Sequence, residues 1–326
     1  MSTKENILAL FEANKGIYFS GEELASQLSV SRAAVWKAVN SLRGDGYEID
    51  AVPNRGYRLS PDTDILSVQG IRNYLDADNQ NLDLQVYPEV GSTNTVLWEK
   101  ANAGAPEGCV VLANEQTKGR GRRGRSFYSP GDSGIYLSIL LRPEKIETTE
   151  LTNLTTMAAV AACEAIEDIS EEKPGIKWVN DIYLHGRKVS GILTEASISM
   201  ESGSVDYVVL GIGFNVYAPA GGFSKEIEDI AGAVFERKKN DGKNLLAAGF
   251  LNHFLKYYAE FDQKDYVKKY QDRSLVTGKE IQVRSPEGSR KALALRVDDS
   301  CALIVQYEDG HQERLTSGEI SISGRF

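Results

Sequence analysis

Residues 119–131 read GRGRRGRSFYSPG, and the first seven of these positions hold four arginines and three glycines in a chain whose formal net charge is -9. From Gly119 to Ser126 the spacing is G-x-x-x-x-G-R-S, one residue short of a phosphate-binding P-loop. A P-loop would make this a parallel α/β nucleotide-binding fold. It fails because Arg125 stands where the lysine belongs and because Phe127-Tyr128-Ser129-Pro130-Gly131 cannot start the helix whose N-terminus such a loop needs. The stretch is therefore a loop between strands. Four like charges in seven residues repel each other unless an anion relieves them, and three glycines let backbone N–H groups approach one. A lid for an anionic ligand, disordered without it, is the expectation. An RGG-like RNA-binding tract would extend over many repeats, and a single loop does not.

The surroundings of the loop mix strands and helices. Strands are expected at 110–114, 134–141, 175–184, 188–198 and 207–216, and helices near 93–103, 151–168 and 243–260. In YVVLGIGFNV (207–216), alternation puts Val209, Gly211, Gly213 and Asn215 on one face, where glycines leave room for a ligand. The same run lacks the third glycine and the helix of a dinucleotide fingerprint. In GRKVSGILTE (186–195), Lys188, Ser190 and Ile192 share a face, and Gly191 permits close backbone approach. Ser92, Thr93 and Asn94 open a helix with small side chains that donate and accept hydrogen bonds.

Before this region lies a unit of different character. Residues 1–60 carry seven basic and seven acidic side chains. Ile7, Leu10 and Phe11 have helical spacing, Ser20-Gly21-Glu22-Glu23 is a capping box, and Val35, Ala38, Val39 and Leu42 form the buried stripe of a third helix. The face left over displays Arg32, Ala33, Trp36, Lys37 and Asn40, the layout of a helix-turn-helix whose second helix meets DNA. Tyr47–Leu59 reads as a hairpin wing with Arg55 at its tip. With no net charge of its own, one copy would bind DNA weakly. Ser60 to Asp64 is a polar linker, and the last fifty residues carry short β runs with an Asp309-Gly310 turn, read as a small β-barrel.

Hydrophobic residues at 41% and charged residues at 25% mark a globular chain. No cleavable leader and no run of ~20 apolar residues is present, so a cytoplasmic address without a membrane partner is expected. Cys109, Cys163 and Cys301 suggest neither disulfides nor zinc, and His185, His253 and His311 lack ligand spacing, so no structural metal is expected.

Four motifs, STN at 92, EQTKGRGRRGRSFYSP at 115, KWVNDIYLHGRKVSGILTE at 177 and GIGFNV at 211, together with the winged helix and the C-terminal β unit, resemble the bifunctional biotin protein ligases that also repress biotin operons. The resemblance spans the chain. It implies an α+β protein: a winged helix-turn-helix over 1–60, a biotin/ATP-binding catalytic domain over 65–272 related in architecture to class II aminoacyl-tRNA synthetases, and an SH3-like domain over 273–326. It implies that biotin and ATP, with Mg²⁺ carried by the nucleotide, give biotinyl-5′-AMP, from which biotin passes to a lysine of a biotin carboxyl carrier protein. Operator DNA and a homodimer formed with biotinyl-AMP are the further implied partners.

Residue by residue, the resemblance implies that Arg120, Arg122 and Arg123 close over carboxylate and phosphate, with Gly124 in the loop and Lys188 bridging both anions. Ser92, Thr93 and Gln116 would address the ureido group, Asn94 would join them in binding biotin, and Gly191 with the glycine face of 207–216 would accommodate the bicyclic ring. Arg125, Phe127, Asn180 and Asn215, with Arg122, would serve ATP, Phe127 stacking on adenine. Asp181 would orient the incoming lysine or a Mg²⁺. Two departures are Val179 for the family's proline and Phe127 for a residue that is often tryptophan, for which a weaker hold on ATP is expected. A biotin-sensing repressor without ligase activity and a lipoate-type ligase remain as alternatives.

Overall fold

The computed structural model describes residues 2–143, 146–199, 201, 203–285 and 288–322. At the N-terminus three helices, α1 (Thr3–Ala13), α2 (Gly21–Gln27) and α3 (Arg32–Gly44), precede the hairpin β1 (Ile49–Val52) and β2 (Gly56–Leu59). The Ser20 hydroxyl accepts from Glu23 N at 3.0 Å while the Glu23 carboxylate accepts from Ser20 N at 2.8 Å, so α2 starts at its capping box. Ser31 caps α3 without a returning carboxylate, its hydroxyl accepting from Ala34 N at 3.2 Å. Ile7, Phe11, Leu24, Val35, Val39, Leu42 and Leu59 are fully buried between these elements. Leu10, expected inside, is half-buried, and Leu8 fills the core in its place.

Next come α4 (Val68–Arg72), β3 (Asp83–Val90), α5 (Thr93–Asn102), β4 (Cys109–Gln116), β5 (Gly134–Leu141), α6 (Leu151–Ile169), β6 (Gly175–Lys177), β7 (Asp181–Leu184), β8 (Arg187–Ile198), β9 (Val205–Asn215), α7 (Gly242–Ala259) and α8 (Tyr266–Asp272). Seven strands form one sheet in the order β3-β4-β5-β9-β8-β7-β6, with β3 and β4 parallel and the other neighbours antiparallel. The run expected as one strand over 175–184 is a hairpin, because Trp178-Val179-Asn180 turns the chain between β6 and β7; its Trp178–Val179 peptide is cis. Strand β3 was not legible in the sequence.

One face of this sheet packs Leu210, Ile212 and Phe214 against Met157, Leu246 and Phe250 of α6 and α7. The other packs Val111, Leu140 and Val209 against Leu97 and Ala101 of α5. The chain ends in β10 (Glu280–Ser285), β11 (Gly288–Val297), β12 (Leu303–Tyr307), β13 (Gln312–Leu315) and β14 (Glu319–Ile322), an antiparallel sheet in the order β13-β12-β11-β10-β14. It is anchored to the central sheet where the Trp178 indole donates to Cys301 O at 3.0 Å.

The polar linker is pinned at both sides. Asp64 accepts from Lys243 N at 2.8 Å and from the Tyr217 hydroxyl at 2.5 Å. Nearby, Lys15 Nζ lies 2.9 Å from Glu12 Oε2 and 2.8 Å from Asp241 Oδ1, which joins the winged helix to the start of α7. Asp241 also accepts from the Tyr74 hydroxyl at 2.6 Å and from Asn244 Nδ2 at 2.7 Å.

Candidate functional site

Strand register builds the site row by row. Residues paired across neighbouring strands share a face. Lys177 pairs with Asp181, Asp181 with Gly191, Gly191 with Gly213 and Gly213 with Tyr136, which makes one row across the α5 side of the sheet. The next row is Leu193, Gly211 and Ser138, and the one after it Glu195, Val209 and Leu140. The expected grouping of Lys188 with Ser190 and Ile192 does not hold. In β8 the register shifts, with Ser190 opposite Ile182 but Lys188 opposite Tyr183, so Val189 is a bulge residue and Lys188 crosses to the face of Asp181 and Gly191. Lys188 Nζ then lies 2.6 Å from Asp181 Oδ1.

Glycines on this face do leave room, but the protein's own side chains take it. A Cβ at Gly211 would sit 2.0 Å from Asn94 Oδ1, and one at Gly213 would sit 2.4 Å from the Phe127 ring. Asn94 is fixed in this position: its Oδ1 accepts from the Ser138 hydroxyl at 2.6 Å and its Nδ2 donates to Glu195 Oε2 at 2.9 Å. Gln116 Oε1 accepts from Thr93 N at 2.8 Å, and Gln116 Nε2 donates to Ser129 Oγ at 3.0 Å. Ser92 occupies the N-cap position of α5 without making a side-chain cap bond, so its hydroxyl is not spent on the helix. Ser92, Thr93, Asn94, Gln116, Gly191 and Gly211 line a small polar pocket closed on one side by Phe127.

Beyond Phe127 the pocket meets a larger cleft, bordered by Arg122, Lys177, Asn180, Asp181, Lys188 and Glu319. Over it lies the arginine loop, which takes a short 3-10 turn at Arg122–Gly124, with a bridge between Arg120 and Ser126. Carboxylates of the chain itself take up part of the repulsion that the sequence assigned to a bound anion. Arg120 holds Glu195 through two contacts of 3.0 and 2.6 Å. Arg125 pairs with Glu319 of β14, and Arg123 and Arg284 approach the same carboxylate at 3.8 and 3.5 Å. The hydrogen bond from Arg125 holds the Glu319 carboxyl below its ordinary value. Arg122 turns inward and donates to Asn180 Oδ1 at 3.1 Å, and burial lowers its affinity for a proton. Gly124, at φ 74°, faces open space.

Asn215 does not border the cleft. Its amide donates to Gly232 O at 3.0 Å, which fastens the 230–232 segment against the end of β8, where Lys188 N donates to Ile230 O at 2.7 Å. Three residues were missed by sequence reasoning: Lys177 and Glu319 of the cleft wall, and Glu195, which holds Arg120 and Asn94 beside it. Glu195 would have been found had β8 been read in the phase of Gly191 rather than of Ser190. Lys177, whose pKa is pulled down by burial, stands in the quoted KWVND run. Glu319 carried no local signal.

In the winged unit Arg32, Ala33, Trp36 and Lys37 are exposed along α3, with Asn40 half-buried at its edge. Arg55 lies 4.3 Å from the centre of the Tyr18 ring, a cation–π contact at the tip of the hairpin.

The chain matches the biotin/lipoate A/B protein ligase family over residues 86–215, a helix-turn-helix domain over 3–58 and the biotin protein ligase C-terminal domain over 276–323. It is similar to the bifunctional ligase/repressor BirA of Bacillus spizizenii, with 34% identity over 315 residues covering 94% of this chain and 95% of that protein. A biotin--[acetyl-CoA-carboxylase] ligase of Mycobacterium tuberculosis is 28% identical over 225 residues, covering 66% of this chain and 80% of that one. Among solved structures, a biotin protein ligase from Aquifex aeolicus in complex with biotin and ATP has a TM-score of 0.61 at 30% identity and covers 74% of this chain and 98% of its own.

Proposed function

The chain belongs to the bifunctional ligase/repressor group of biotin protein ligases, and from that premise we propose how its residues divide the work. It is a ligase that consumes biotin and ATP, and its helix-turn-helix is a repressor's DNA-binding unit. The observation that carries the reading is that Lys188, with Arg122 of the loop above it, borders a cleft adjoining the small polar recess of Asn94 and Gln116 on one face of the sheet.

In the first half-reaction an oxygen of the biotin carboxylate attacks the α-phosphorus of ATP, and the bond to the β-phosphate breaks, releasing pyrophosphate. Two unit charges ~3.5 Å apart repel by about 5 kcal/mol at an effective dielectric of ~20, so cations are the main catalytic groups. Lys188, Arg120, Arg122 and Arg123 supply them. Arg120 uses part of its guanidinium on Glu195 and presents the rest. Ser92, Thr93, Asn94 and Gln116 form the biotin recess and address its ureido group, Gly191 accommodates the bicyclic ring, Gly124 lets the loop turn over it, and Phe127 stacks on adenine. Arg125 and Asn180 hold the loop over ATP, whereas Asn215 acts through the segment behind Lys188. Mg²⁺ would come with the nucleotide, where it would offset phosphate charge, and Asp181 and Glu319 of the cleft wall are the carboxylates that would hold it.

In the second half-reaction the amine of a carrier lysine attacks the acyl carbon, the amide C–N bond forms, and AMP leaves with the electrons of the broken C–O bond. Asp181 takes the amine's proton. The division into units 1–60, 65–272 and 273–326, a cytoplasmic location and a homodimer that delivers two winged helices to a palindromic operator belong to the same proposal. The weak DNA affinity of one neutral unit is what motivates the dimer. Biotin-dependent exchange of labelled pyrophosphate into ATP tests the ligase reading, and its absence in protein that still binds biotin would leave a sensor-repressor. Operator affinity that is equal with and without biotin and ATP would remove the dimer from the account.

A further inference from the structure

Arg122 and Ile192 border a second cavity, distinct from the adenylation cleft and reached on the α6 side of β8. Its other walls are hydroxylated: Thr152 and Thr155 from the first turns of α6, Thr194 from β8, and Thr316 and Ser317 from the turn between β13 and β14. Leu151, Val179 and Ala196 complete it with aliphatic carbon. The Thr155 and Thr194 hydroxyls share a hydrogen bond of 2.7 Å, and the Thr152 hydroxyl donates to Thr316 O at 3.3 Å, so α6, β8 and the C-terminal sheet are tied together around the opening.

We infer that this cavity admits the side chain of the acceptor lysine, with its amine delivered at the Arg122 end; the inference rests on the ligase reading. Three features of the walls select that occupant. A four-carbon stem is matched by threonine methyls and the aliphatic walls, which offer a triphosphate or pyrophosphate nothing. An amine donates hydrogens, and hydroxyl oxygens accept them. Pyrophosphate would need several cations, and the cavity has one guanidinium. That guanidinium at the inner end disfavours a second positive charge beside it, which holds the incoming amine in its neutral, nucleophilic form. Arg122 therefore acts twice, on the acyl phosphate from one side and on the nucleophile from the other.

The test uses the full chain and two kinds of variant. Ser317→Trp, on an exposed turn, fills the mouth, and Thr194→Val removes a wall hydroxyl while keeping its shape. Three readouts are compared: biotin-dependent pyrophosphate exchange, transfer to a carrier domain, and capture of the adenylate by hydroxylamine, a nucleophile too small to need the cavity. Expected for Ser317→Trp is exchange and hydroxylamine capture near wild type, with transfer down by about tenfold or more and a raised KM for the carrier. Thr194→Val should show the same pattern more weakly. Unchanged transfer in both variants overturns the inference. Exchange that falls together with transfer, in protein that melts like wild type, also overturns it, since the cavity would then serve the nucleotide. Failure of the ligase reading looks different: wild-type protein would itself show no exchange.

Discussion

Lys188 faces Asp181 across 2.6 Å because one extra residue, Val189, interrupts the pairing of β7 with β8. Without that bulge the lysine would point towards α6 and away from the arginine loop. The place of this charge is thus set by backbone register rather than by side-chain reach. Lys188→Ala should abolish pyrophosphate exchange while the protein stays folded, with a melting temperature lower by a few degrees because Asp181 loses its ion-pair partner. Lys188→Arg should retain partial exchange. Normal turnover by the alanine variant would remove Lys188 from the mechanism.

Gly211 and Gly213 separate by what they face. Alanine at Gly211 meets Asn94, which Ser138 and Glu195 hold in place, and overpacking of that kind costs about 1–3 kcal/mol. Alanine at Gly213 meets the Phe127 ring, which has a cleft to move into. Thermal unfolding should therefore register Gly211→Ala strongly and Gly213→Ala weakly, and the KM for ATP should rise in the second. Equal melting shifts would contradict the assignment.

Glu195 joins Arg120 to Asn94 through three charge-assisted contacts of 2.6 to 3.0 Å. Glu195→Gln keeps the shape and removes the charge that presents Arg120. The KM for biotin should rise by about tenfold, equivalent to ~1.4 kcal/mol, with a smaller change in kcat. Biotin titration by calorimetry and steady-state exchange both read this. An unaltered KM would show that Glu195 is a bystander.

Glu12 is buried, and burial raises its pKa above the ordinary 4.5 despite the nearby Lys15. Between 4.5 and that raised value the folded protein binds more protons at this site than the unfolded chain does. The site's contribution to stability is thus full below 4.5 and is lost as pH rises through the folded value. Melting temperatures measured across that window should fall less steeply with pH in Glu12→Gln than in wild type. Parallel curves would show that Glu12 titrates normally.

Local patterns were legible from sequence: the capping box at Ser20, the stripe of Val35, Val39 and Leu42, and the glycine-arginine loop all depend on neighbours a few residues apart. What escaped depends on distant partners. The bulge at Val189 is a relation between β7 and β8, and Glu319 meets Arg125 from 194 positions away. The loop's charge showed that an anion was needed, yet nothing in its seven residues could tell a bound ligand from the chain's own carboxylates. Likewise the glycines of β9 announced a close approach without saying what approaches.

Asp241, at the head of α7, has its charge answered by Lys15 of the winged unit. Ten residues before it, Ala231 bridges to the backbone of Lys188. Amputating the first sixty residues would therefore not return a plain enzyme with an accessory removed. It would leave a buried carboxylate with Tyr74 and Asn244 but without its cation, at the end of the strap that backs Lys188, so that shedding the DNA-reading head would favour a neutral residue at position 241.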